Sequence, residues 1–385
     1  MNRTILCLGF FTISGITITI TITIQLQLNM DQGKKQISIV RNSNNKIYLD
    51  LKDIVREHVL QFLPAKSIFR FTGVCRDWKL LISTPFFAHN QSNCFRKISG
   101  FFFQSSTGDP SFLSLNPMAY GVPDPSLRFL PEAVDIRSSS NGLLCCQGRT
   151  DYNAYYICNP VTKEWKKLPK PENYHGPEPA VVLIFEPSVL NFVAEYKLVC
   201  AFPSELDGYE FEIYSSSEGS WRTSGEIFLG SCKIQPSSGV HANGIIYWMA
   251  RNNKILAFDL TMERSQLYYG GGTLGVINGK LCGLSVSHQR LSVKVLSNAY
   301  TNTMQMHSSI KTWETHIITL DSSALGGAVF DLDSVLYAQD DILVLRSGRT
   351  LYAYNRKTRE AKILMSDSSI TNGKIVSYVN SLVDI

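Results

Sequence analysis

With 385 residues, 44% of them apolar, the chain is long enough for two or three domains and a substantial core. Its 37 basic and 32 acidic side chains leave a net charge of +5 without a run of five like charges, so nucleic acid is not an indicated ligand. Nine cysteines form no C-x-x-C pair and have no spaced histidine companions, which excludes the usual zinc and redox motifs and fits free thiols in a reducing compartment.

Residues 1–47 read as a low-complexity apolar tract followed by a linker. Arg3 and the run after it resemble a secretory signal or anchor, but Thr17, Thr19, Thr21 and Thr23 alternate with isoleucines and no small-x-small site closes the run. Met30 opens MDQGKKQ, an ordinary cytosolic start. The expectation is a physiological protein beginning at or near Met30, with 1–47 disordered or an upstream extension. Lys34, Lys35, Arg41 and Lys46 suit a solvated linker.

Residues 48–92 carry helical spacing. Leu51, Ile54, Val55, His58, Val59, Phe62 and Leu63 make one amphipathic stripe, with Lys52, Asp53, Arg56 and Glu57 off it. Pro64 ends that helix and opens a short one through Ala65, Ile68, Phe69 and Phe71. After Gly73, a third helix places Val74, Trp78, Leu81 and Ile82 on one face, and Pro85 closes it. So short a segment cannot bury these faces alone, so it must dock onto something outside itself.

Residues 95–385 change to short alternating runs. ISGFFFQ, NGLLCCQG, AYYICNP, EYKLVCAF, YEFEIYSS, GIIYWMA, KILAFDL, KLCGLSV, LSVKVLS, SVLYAQD, DILVLRS, TLYAYNR and KIVSYVN are strand candidates. They recur as Asn-Gly turn, apolar strand, hairpin and polar turn, most clearly from Asn141-Gly142 through Tyr155–Cys158 to Asn159–Trp165, and again from Asn243 and before Asn355. Units of roughly 45 to 50 residues suit a β-propeller of about six blades. The fold class is therefore α plus all-β: a short helical module ahead of a propeller, with GKIVSYVNSLV supplying a strand to the blade begun near Phe95.

LPAKSIFRFTGVCRDWKLLISTPFF resembles the second half of the F-box, the adaptor-binding module of cullin ubiquitin ligases: Leu63-Pro64, Lys66-Ser67, Val74-Cys75-Arg76, Trp78, Ser83 and Pro85-Phe86 fall in the family's order. The first helix departs from the family's usual opening, Leu51 being followed by Lys52. SSSNGLLCC, YYICNPVTKEWKKLP and YVNSLV are similar to the F-box-associated, kelch-like domain of plant F-box proteins. The resemblance implies a Skp-type adaptor, and through it a cullin, as partners, with Leu51, Ile54, Val55, Val59, Leu63, Pro64, Ile68, Val74, Cys75 and Trp78 binding the adaptor. It also implies a propeller that recruits an unspecified protein substrate, in the cytoplasm or nucleus.

No enzyme motif competes with this reading, and no cofactor or metal is expected. Gly270, Gly271, Gly272 and Gly275 lack the lysine and hydroxyl of a phosphate loop, and Gly283–Ser287 lacks the last glycine of a nucleophile elbow. Asp331, Asp333, Asp340 and Asp341 fall at an expected hairpin, where acidic residues serve turns. Asn141-Gly142 and Asn159-Pro160 are likewise turn chemistry, and Trp165 is packing. The competing class is a secreted or membrane-anchored propeller, for example a glycan binder, for which Asn90-Gln91-Ser92 is a formal glycosylation sequon. Substrate loops are sought at 104–131, 170–180 and 297–312.

Overall fold

The computed structural model describes residues 4–13, 16–25, 36–39, 47–50, 55–56, 59–105, 108–187, 194–230, 232–287, 290–297, 312–319, 334–367 and 373–385. It divides into two compact units, Met1–Glu57 and His58–Ile385. In the first, β1 (Thr4–Ile13) pairs antiparallel with β2 (Ile16–Gln25), and β3 (Gln36–Ile39) with β4 (Ile47–Asp50). Alternating isoleucine and threonine are strand formers, which suits the pairing of β1 with β2. Val55 and Arg56 are helical. Leu51 and Ile54, expected on the same helix, lie outside the described residues.

The second unit opens with a 3-10 turn at Leu60–Phe62 and three helices, α1 (Ala65–Phe71), α2 (Arg76–Ile82) and α3 (Pro85–Cys94). Each start has a local cause. Pro64 is extended at the N-cap of α1, as a residue with no free N–H can be. Thr84 caps α3 by accepting the N–H of Phe87 through Oγ1 at 3.2 Å, with Pro85 preset at its first position. Pro85 thus both closes one helix and opens another, α3, which the apolar spacing does not announce.

From Ile98 onward the chain is built of antiparallel meanders. The first sheet runs β7 (Val134–Ser140), β8 (Leu143–Gly148), β9 (Tyr155–Asn159), β10 (Glu164–Lys167); the second β11 (Ala180–Phe185), β12 (Tyr196–Ser204), β13 (Gly208–Ser215), β14 (Ser220–Leu229); the third β15 (Val240–Ala242), β16 (Ile245–Ala250), β17 (Lys254–Asp259), β18 (Arg264–Tyr269). An eight-stranded sheet follows. Its halves, β19 (Thr273–Ile277), β20 (Lys280–Ser287), β21 (Arg290–Leu296), β22 (Trp313–Thr319) and β23 (Ser334–Gln339), β24 (Ile342–Ser347), β25 (Thr350–Asn355), β26 (Glu360–Ser366), meet through one parallel pairing, Val276 with Gln339. The last sheet is three-stranded and joins distant sequence: β27 (Lys374–Val379) pairs with β5 (Ile98–Gln104), which pairs with β6 (Ser111–Ser114). The ring closes at the strand expected to close it.

Core packing is radial. Ile255 and Ala257 of β17 join one apolar cluster, while the intervening Leu256 and Phe258 join another against the second sheet, because successive strand residues face opposite sides. Further clusters fill the spaces between the first and second sheets and between the two halves of the long sheet. Phe103 and Leu351 begin one between the last half and the closing sheet. On the closing sheet's other side, Gln104 donates through Nε2 to the Val134 carbonyl and accepts the N–H of Ile136, both at 2.9 Å.

The turns repeat as well. Asn141-Gly142, Asn243-Gly244 and Asn278-Gly279 each hold both residues at positive φ, the turn that matches strand twist in a two-residue hairpin. At the other hairpin of three meanders, Asn159, Asp259 and Asn355 each accept, through Oδ1, a backbone N–H two residues on (3.0, 2.7 and 2.9 Å). Lys163, Glu263 and Arg359, four residues further, take positive φ. Asp340 is a turn residue of this kind, at φ 48° between β23 and β24; Asp331 and Asp333 lie outside the described residues.

Candidate functional site: the helical module and its seat on the propeller

The helices have two unlike faces. One is spent on the protein itself: Ile68 is fully buried, Pro64 and Ile82 are buried, and Trp78 is buried with Phe71 edge-on at 5.6 Å. The other face keeps apolar side chains in water, with Phe69 45%, Val74 46%, Leu80 60% and Phe86 58% exposed. Of the ten residues expected to bind a partner, Val74 is exposed, Val59, Leu63 and Cys75 are half-buried, and Val55, Pro64, Ile68 and Trp78 are buried. Within the second unit, buried Pro64, Ile68 and Trp78 form the base from which the exposed side chains project. Phe69, Leu80 and Phe86 are not among those ten, and one signal for them is in the sequence: Leu80 is apolar yet off the stripe of Val74, Trp78, Leu81 and Ile82.

The seat is made by the residues that follow β27. Ala65 donates its N–H to the Asn380 carbonyl at 3.1 Å, and Lys66 donates its own to Asn380 Oδ1 at 3.0 Å. Fully buried Gln91 on α3 accepts the N–H of Leu382 at 2.8 Å and donates to the Leu63 carbonyl at 3.0 Å. Asn159, at the end of β9, holds the same stretch from the propeller side, donating through Nδ2 to the carbonyls of Ser381 (3.0 Å) and Val383 (2.8 Å). The strap 380–383 is thus shared between helices and propeller. Lys66 Nζ reaches the Pro117 carbonyl at 2.7 Å and Arg70 the Met118 carbonyl at 2.9 Å, fixing the helices laterally.

Strand direction tells which end of the propeller they cover. Asn159, Phe185, Ser215 and Gly244 lie at or beside the ends of β9, β11, β13 and the β15–β16 turn, all on one face; α3 lies against that face, where Pro85, His89 and Ser92 share a cavity of about 430 Å³ with Phe185, Ser216 and Gly244. The strands β7, β11, β15, β19, β23 and β27 line a larger central cavity of about 1070 Å³ rich in serine. His241 touches both cavities. Burial holds its imidazole below the ordinary histidine range, against the charge of Glu186, and its Nε2 accepts the N–H of Gly244 at 3.2 Å.

The segment 170–180, sought as a substrate loop, is anchored at its centre. His175 Nε2 donates to Glu212 Oε2 at 2.8 Å with both side chains fully buried, and the Tyr155 hydroxyl meets His175 Nδ1 at 3.0 Å. Burial would raise the Glu212 carboxyl, but hydrogen bonds from His175 and from the N–H groups of Glu172 and Asn173 outweigh it and hold the carboxyl below its usual range. Every group here has a partner within the fold, so the pair reads as a structural anchor. Among the described residues no cluster of His, Cys, Asp or Glu could hold a metal ion, and no helix is long and apolar enough to cross a membrane.

Comparison with known proteins agrees with this arrangement. Residues 48–90 match the F-box domain, and residues 126–385 match the F-box associated beta propeller domain. The F-box protein At5g49610 of Arabidopsis thaliana is 32% identical over 224 residues, covering 54% of this chain and 61% of that protein. F-box protein At5g07610 of the same plant is 32% identical over 250 residues, covering 59% and 58%. The F-box/kelch-repeat protein At3g61590 is 26% identical over 210 residues, covering 52% and 51%. The chain spans about three fifths or less of the length of these relatives. Because the propeller match takes in well over half of the chain and the F-box match precedes it, this protein belongs to the F-box associated beta propeller family and carries an F-box on its N-terminal side.

Proposed function

We propose that this protein is the substrate-recognition subunit of an SCF-type cullin ubiquitin ligase. Its F-box binds a Skp-type adaptor and through it a cullin, and its propeller recruits a protein substrate for ubiquitination. The observation that carries this reading is the two-faced helical module: one face is consumed by the strap and propeller, while Phe69, Val74 and Leu80 remain exposed. An apolar helix face left in water is what a partner helix or groove covers.

Catalysis in such an assembly belongs to other subunits. The site of action is the cytoplasm or nucleus, where a cullin can be met. The secreted alternative is not favoured, because Asn90 lies within α3 beside buried Gln91 and Ser92, a poor place for a glycan.

Affinity purification from the native cell under proteasome inhibition tests the reading. Expected are a Skp-type adaptor, a cullin and at least one ubiquitin-modified protein, the last lost when the adaptor is lost. A purification that returns neither adaptor nor cullin contradicts the proposal.

A further inference from the structure

The helices cover one face of the propeller, so its opposite face, made by the β8–β9, β12–β13 and β16–β17 connections and the links between sheets, points away from them. At the third sheet this far face is cationic. Lys233, Arg251 and Lys254 stand on the segments 230–239 and 251–254, which together with 270–272 contain no aspartate or glutamate. They form one group: Arg251 donates its N–H to the Lys233 carbonyl at 3.0 Å, and Lys254 Nζ lies 5.8 Å from the centre of the Tyr269 ring. Tyr269 is 77% exposed, the largest exposure of any large hydrophobic side chain described. Burial raises the Cys232 thiol while the Lys254 charge pulls the other way.

We propose that Lys233, Arg251, Lys254 and Tyr269 form a docking site for an acidic segment of a polypeptide. The occupant follows from charge: three cations free of ion pairs among the described residues attract carboxylates, and the ring, already paired with one ammonium, offers an apolar edge to a neighbouring side chain. The acidic β12–β13 loop of the adjoining sheet, with Glu205 and Asp207, borders this group, the Asp207 carbonyl accepting the N–H of Gly230 at 3.1 Å. A nucleic acid is less well served, since three cations without a continuing groove cannot track a phosphate backbone. The inference rests on the reading that the propeller recruits protein substrates, and it names where and what kind.

The test is fluorescence anisotropy on the full chain with a labelled glutamate-rich peptide carrying one phenylalanine, beside its lysine-rich counterpart and a single-stranded oligonucleotide. The glutamate peptide is expected to bind most tightly. Lys233→Glu with Arg251→Glu, and separately Tyr269→Ala, are expected to weaken it by about tenfold or more. Melting is expected to stay unchanged, because all three positions are exposed or at the surface. The proposal is overturned if the lysine peptide or the oligonucleotide binds as tightly, or if the variants bind like wild type. Adaptor capture measured on the same preparations separates the two readings: peptide failure with capture intact sinks this site alone, and absent capture with peptide binding intact sinks the ligase assignment.

Discussion

Gln91 accepts the backbone N–H of Leu382 at 2.8 Å across 291 positions of chain, and its amide nitrogen donates to the Leu63 carbonyl at 3.0 Å. One buried side chain therefore joins the F-box to the residues that follow the ring-closing strand. Gln91→Leu keeps the volume but leaves a buried donor and acceptor unpaired, and is expected to lower stability by about 1–3 kcal/mol. Urea unfolding measures this, and an unshifted midpoint would show that the strap does not hold the helices.

The closing strand carries more. Tyr378 of β27 packs edge-on against Phe102 at 5.3 Å and Phe112 at 6.0 Å, and its hydroxyl donates to Asn159 Oδ1 at 2.9 Å. Deleting the residues after Asn372 removes the pairing partner of β5 as well as the strap. The truncated chain is expected to lose its cooperative melt, since an opened ring exposes an unpaired edge and a flank of the core. A truncated protein that melts like the full chain would refute ring closure by β27.

Glu212 links folding to acid. Its carboxyl is held below the ordinary value in the folded protein, so it contributes stability that is present above the unfolded value near 4.3 and lost as pH falls through the folded one. Glu212→Gln removes that linkage. The advantage of wild type over the variant, measured by urea unfolding, is expected to shrink from about pH 4.5 downward. A difference that is constant over this window would mean the carboxyl is not held down by its donors.

His241 acts in a higher window with the same sign. Its folded value is depressed by burial, so the unfolded chain takes the proton first, and stability is lost as pH falls below the unfolded value near 6.5. Protonation also cancels the hydrogen bond its Nε2 accepts from Gly244. His241→Gln is expected to flatten the stability profile between about pH 7 and 5. A variant profile that keeps the wild-type slope would contradict this.

All thirteen strands read from alternation are present; the strands beyond them differ in how legible they are, Ala180–Phe185 being a continuous apolar run that reads as a buried strand, others carrying little signal. Glu164–Lys167 and Glu360–Ser366 are outermost, with one face or both in water, so they need no regular apolar residues. Val240–Ala242 is only three residues long. Turn chemistry was legible because Asn-Gly at positive φ depends on two adjacent residues alone. Which F-box side chains stay outside was not legible, since Trp78 packs on Phe71 and α1 is seated on a strap far along the chain. Helical spacing finds a face and does not say which partner covers it. The far cationic face was equally hidden, because Lys233, Arg251 and Lys254 become neighbours only when the meander folds.

The most direct measurement is titration of the purified full chain with a purified Skp-type adaptor, by calorimetry, alongside variants of each helical face. Leu80→Asp and Phe69→Asp are expected to abolish binding while moving stability by no more than about 0.5 kcal/mol, as exposed substitutions do. Trp78→Ala is expected to cost about 3–5 kcal/mol of folding stability, its buried ring being part of the base. Saturable binding by the wild type, lost in the two exposed-face variants with their melts intact, is the result this account requires. No binding by the folded wild type, or undiminished binding by both aspartate variants, would contradict it.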